Sequence, residues 1–109
     1  MTEEPTEVPW PHYVVAPIAQ LACEWSEITE RTEIVFGNHF DGLDDCRAAV
    51  VRLPSGVEVV LLRHRGNPTP GVQLHGDNHR DFEAQIQEVL GLFGEPVPEV
   101  TWRGEPLPW

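Results

Sequence analysis

The chain contains no lysine; all seven of its positive side chains are arginine. A GC-rich genome produces the same bias through its arginine codons, so that absence excludes no function by itself. Positive charge as a whole is scarce. Eighteen acids stand against seven bases, for a formal net charge of −11. The imbalance is steepest over residues 1–30, which hold Glu3, Glu4, Glu7, Glu24, Glu27 and Glu30 and no Arg. Such a field repels phosphate backbones and anionic lipid and attracts a basic protein. Cysteine is sparse too. Cys23 and Cys46 form no CxxC pair and have no close His companion in sequence, so neither a disulfide framework nor a zinc ribbon is expected. Long apolar runs are missing, and Met1-Thr2-Glu3-Glu4 is not a basic region leading into an apolar one. The expectation is a cytoplasmic protein with reduced thiols, no membrane span and no secretory leader. There is no GxSxG, Walker or GxGxxG pattern, and Pro68 blocks glycosylation at Asn67. No cofactor is expected, and a non-enzymatic protein is the leading expectation, with a small enzyme as an alternative.

What is present suits a small α+β domain. At 109 residues there is room for one, expected over 13–103, between a Pro- and Glu-rich tail at 1–12 and an extended tail at 104–109. His12–Val15 reads as a short edge strand or an extended lead-in. Pro17 suits a first helical position, and Ile18, Leu21, Ala22, Trp25 and Ile28 follow at helical spacing with Glu24, Glu27 and Glu30 opposite. The expectation is a helix over 17–30; its rival is a strand, because Leu21, Cys23 and Trp25 alternate. Residues 33–40 read as a strand interrupted at Gly37, and 41–45 as a turn.

Cys46–Leu53 and Val57–His64 flank Pro54-Ser55-Gly56, the strongest hairpin signal in the chain. Both faces of these strands are apolar, so they belong in the middle of a sheet and need cover on two sides. Helix 17–30 or a second chain, as in a homodimer, would cover the far one. Val72–His75 reads as a strand, placed at an edge by Pro70. Asp77 or Asn78 would cap a helix over 79–93. Its core stripe is Phe82, Ile86, Val89, Leu90 and Phe93, while Arg80, Asp81, Gln85, Gln87 and Glu88 fall mostly outward. Residues 99–103 read as a last strand. The whole is an antiparallel sheet of about four strands built on the 46–64 hairpin, with helix 79–93 on one face.

Three constellations carry candidate chemistry. His75-Gly76-Asp77-Asn78-His79 offers imidazoles and a carboxylate, and His64 or His39 would complete a metal site from a neighbouring strand. The local pattern equally fits a polar strand-to-helix turn. Arg63 and Arg65 share a strand face, where guanidinium groups would grip a carboxylate or phosphate, or pair with the protein's own acids. Over Arg63-His64-Arg65-Gly66 this strand end resembles the Arg-His-Gly of histidine phosphatases. Arg65 interrupts the match, and the chain is too short for that family's larger domain. Asp41, Asp44 and Asp45 beside His39 lack the regular oxygen spacing of a calcium loop and read as a turn.

Trp10, Trp25, Trp102 and Trp109 complete the inventory. Trp25 belongs to the core, and Trp109 in a Pro-rich end is a candidate anchor for another protein. The functional expectation is a non-enzymatic interaction factor, like an immunity protein or antitoxin, that inhibits a basic partner. Its contacts would be Glu24, Glu27, Glu30, Asp41, Asp44, Asp45 and Trp109. The alternatives are a metal-binding protein or small metalloenzyme using His64, His75, Asp77 and His79, and an anion-binding module using Arg63 and Arg65.

Overall fold

A computed structural model of the chain describes residues 14–40, 45–66 and 71–106. The elements are β1 (Val14–Leu21), α1 (Trp25–Arg31), β2 (Gly37–Phe40), β3 (Asp45–Arg52), β4 (Glu58–His64), β5 (Val72–Asp77), α2 (Phe82–Phe93) and β6 (Val100–Arg103). The strands form one antiparallel sheet in the order β2-β3-β4-β5-β1-β6. The α+β class and the hairpin stand, but the sheet has six strands among the described residues rather than about four. No helix among those residues is long and apolar enough to cross a membrane.

The largest departure from the sequence reading lies at 17–30. Its first half is β1, and only Trp25–Arg31 is helical. Pro17 sits inside the strand, where its missing N–H is tolerated because the ladder shifts register between Pro17 and Ala19. Pairing with β5 on one side and β6 on the other overrides a helical period that was a coincidence of spacing. For the same reason β5 is interior, between β4 and β1, and not an edge strand. The Pro70 that suggested an edge lies outside the described residues, as do the tail at 1–12 and residues 107–109 of the tail at 104–109.

Helix α2 begins at Phe82, three residues later than expected. Neither Asp77 nor Asn78 caps it. Asp81 does, its Oδ1 accepting from the Ala84 N–H at 2.8 Å. Asp77 Oδ1 instead accepts from the His79 N–H at 2.9 Å and holds the preceding turn. The apolar stripe of α2 is buried as the spacing requires. Gln85, expected outside, is buried with it. Its Oε1 accepts from the Asp77 N–H and its Nε2 donates to the Asp77 carbonyl, both at 3.0 Å. The amide thus acts as a short piece of strand, satisfying the end of β5 from the helix. Gly76 permits this approach, since a Cβ there would stand 2.3 Å from Gln85 Oε1.

Both helices lie on the same face of the sheet. Ile28 of α1 and Phe82, Ile86 and Val89 of α2 join Ala49, Val51, Val59, Leu61, Val72 and Leu74 in one core cluster. Fully burying a side chain such as Leu61 or Ile86 contributes roughly 1.5–3 kcal/mol each. The far face was expected to lie under helix 17–30 or a second chain, but α1 does not go there. Cys46, Ala48, Val60 and Leu62 are nonetheless buried, in a separate cluster that contains only β3 and β4 side chains among the described residues.

Candidate functional site

Six of the seven arginines are held by partners within the protein; the exposed Arg52 is the exception among the described residues. Arg63 is the clearest case. Its Nε lies 3.0 Å from Glu24 Oε1, its Nη1 donates to the His64 carbonyl at 2.8 Å, and its side chain is only 14% exposed. Arg65 meets Asp45 at 3.6 Å, Arg80 meets Asp77 at 3.7 Å and Arg103 meets Glu83 at 3.0 Å. Arg47 lies over the Trp25 ring, 5.3 Å from its centroid, and donates to Asn38. Arg31 donates to the carbonyls of Phe93, Gly94 and Pro96. Of the two candidate anion-gripping arginines, the mostly buried Arg63 is therefore held by the half-exposed carboxylate of Glu24, and the exposed Arg65 pairs with the exposed Asp45.

The acids of α1 behave differently. Glu24, a candidate partner contact, is engaged by Arg63. Glu27, Glu30 and the following Glu33 are exposed and make no ion pair among the described residues. Asp45 is exposed beside Arg65, while Asp41, Asp44 and Trp109 lie outside the described residues. The acid field is felt at Cys23. Burial pushes that thiol up to about 11, Glu27 and Glu24 add to the rise, and Arg31 opposes it.

The proposed metal quartet does not gather. His64 turns to β3, its Nδ1 3.4 Å from Cys46 Sγ. His75 Nε2 lies 3.2 Å from Gln73 Oε1. Asp77 holds the turn and pairs with Arg80, and His79 is exposed. Among the described residues no three His, Cys, Asp or Glu side chains group so as to hold a metal ion. His75 is lowered to about 4, first by burial and then by the nearby His64, so its imidazole is neutral at pH 7. The Cys46–His64 contact was readable in advance: the two residues are equidistant from Ser55 at the hairpin tip, and that symmetry pairs them.

A cleft is the feature the sequence did not announce. Thr32, Glu33, Ile34 and Val35 form one wall, Val50, Val51 and Arg52 the other, and Leu92 of α2 adds to the lining. Its volume is about 480 Å³. Val35 is 78% exposed, an unusual position for a large aliphatic residue beside a sheet. Thr32 sets the first wall. Its N–H and its Oγ1 both donate to the Ile28 carbonyl, and its Oγ1 accepts from the Ile34 N–H. This lock turns the chain as it leaves α1, so that Glu33–Phe36 run outside the ladder that begins at Gly37. No family model matches the chain, and neither a curated protein nor a solved structure does.

Proposed function

We propose that the protein is a small acidic interaction factor that binds a basic protein partner, in the manner of an immunity protein or antitoxin. One observation carries the reading: the arginines are largely engaged by the protein's own acids, carbonyls and aromatic surface, while Glu27, Glu30 and Glu33 stand exposed together. An exposed patch in which three acids outnumber the single Arg31, on a chain of net charge −11, steers a cationic partner and speeds encounter more than it tightens the final complex. The test is the association rate with a partner recovered on the tagged protein. That rate falls by about tenfold between about 0.05 and 0.3 M salt, and Glu27→Lys with Glu30→Lys lowers it by a similar factor. A rate indifferent to both salt and charge reversal rejects the reading.

A second reading is favoured by the Cys46–His64 contact. Cys46 Sγ and His64 Nδ1, 3.4 Å apart, are a sulfur and nitrogen pair of the kind that ligates a zinc-like ion. Its ligand pair replaces the His75, Asp77 and His79 set. Cobalt titration followed by the thiolate-to-metal absorption band tests it, and the band disappears in Cys46→Ser.

A further inference from the structure

The ladder of β3 determines which of its backbone groups face the cleft. Arg65 N–H donates to the Asp45 carbonyl and Leu53 N–H to the Val57 carbonyl, so the odd-numbered residues from 45 to 53 direct their groups toward β4. Cys46, Ala48, Val50 and Arg52 therefore direct theirs the other way. Cys46 and Ala48 meet β2, which pairs with Asp45–Ala48 and no further. Val50 and Arg52 face the opening left where Glu33–Phe36 depart, and no hydrogen bond among the described residues reaches their backbone groups from that side. The cleft is thus the mouth of a fork in the sheet, held open by the Thr32 lock, with apolar Ile34, Val35, Val50 and Leu92 around it.

We propose that this fork is a strand-addition site, in which an extended basic segment of the partner lies along Val50–Arg52 and continues the ladder of β3. The proposal rests on the partner reading above and adds where and how the partner binds. Outward N–H and C=O groups at alternate residues are complemented by an extended backbone and by little else. Apolar side chains at alternate positions of that segment rest on Ile34, Val35 and Leu92. Charge chooses the remaining positions. Glu33 lines the cleft, and exposed Glu27 and Glu30 precede it on α1. Arg52 is the one cation of the lining, and Arg31, which donates to main-chain carbonyls, is a second positive charge against the three acids. The approach is net negative and favours a strand that alternates aliphatic with Lys or Arg residues.

The test uses the full chain, labelled with nitrogen-15, and a short blocked peptide of alternating Val and Lys. Expected are amide shifts at Val50, Arg52 and Thr32–Val35, with affinity falling by about tenfold or more when the peptide backbone is N-methylated or its Lys are replaced by Glu. Val35→Asp weakens binding by a similar factor. That side chain is already exposed, and an unchanged melting temperature confirms that the fold is intact. Binding that is salt-sensitive yet indifferent to N-methylation, with shifts on α1 alone, overturns strand addition and leaves the partner reading standing. A Glu peptide that binds the fork as well as the Lys peptide overturns the basic occupant. Concentration-dependent dimers in sedimentation, abolished by Val35→Asp, make a second copy the occupant and also overturn it.

Discussion

The two faces of the β3–β4 hairpin are built from the same kind of sequence and end in different chemistry. On one, Ala49, Val51, Val59 and Leu61 pack beneath both helices in a large, wholly apolar cluster. On the other, Cys46, Ala48, Val60 and Leu62 form a small one that runs at its border into His64, Gln73 and His75. Alternating strands that are apolar on both sides say only that two covers are needed. They do not say that the covers are alike. The helical face carries most of the stability, and the opposite face couples the fold to proton concentration.

Neighbouring leucines put this contrast to the test. Leu61→Ala is expected to cost about 3–5 kcal/mol in urea denaturation, and Leu62→Ala about 2–3 kcal/mol, because the smaller cluster has fewer neighbours to lose. Equal costs would break the contrast. On the helical side Gly76→Ala drives a methyl group against Gln85 and disrupts its two bonds to Asp77, at a cost of about 1–3 kcal/mol. Gln85→Ala in the same background then adds little, and full additivity between the two changes would disprove the shared mechanism.

On the opposite side the prediction concerns pH. His75 binds its proton near 4 in the folded state and near 6.5 when unfolded, so the unfolded chain holds more protons between those values. Stability is complete well above pH 6.5 and falls as pH drops toward 4, by an amount on the order of 3 kcal/mol. His75→Gln flattens that slope in acid denaturation followed by fluorescence; an unchanged slope assigns the pH dependence elsewhere. The smallest effect is at the hairpin border. Arg65→Ala removes an exposed pair and shifts stability by less than about 0.5 kcal/mol. Arg63→Met, which strips Glu24 of its partner beneath α1, exceeds it in the same assay.

Local signals made the hairpin and α2 legible. Pro54-Ser55-Gly56 fixes the turn, and five apolar side chains at helical spacing fix the buried stripe of α2. Strand β1 was illegible because its partners are far away in sequence, and the stretch from Pro17 to Ile28 satisfies a helix and a strand almost equally. Gln85 was misplaced because a polar residue on a helix is assigned outward unless its acceptor and donor can be seen, and both belong to Asp77. Within the candidate site, the acids of α1 were found by composition. That Glu24 is engaged and Glu27 and Glu30 are not depends on an arginine 39 positions away. The cleft depends on Thr32 bonding backward to Ile28, a choice that serine and threonine make locally and that spacing alone does not reveal.

The place of β1 between β5 and β6 has a consequence for how the chain is made. The first of the described strands has no neighbour to join until Val72–Asp77 is available, and its other flank waits for Val100–Arg103. In a released fragment that ends before residue 72, the β3–β4 hairpin exposes both oily surfaces beside an unpaired β1. Such fragments should therefore bind chaperones and resist compaction. Chains extended past residue 103 should collapse in a single late step, the order imposed by long-range pairing.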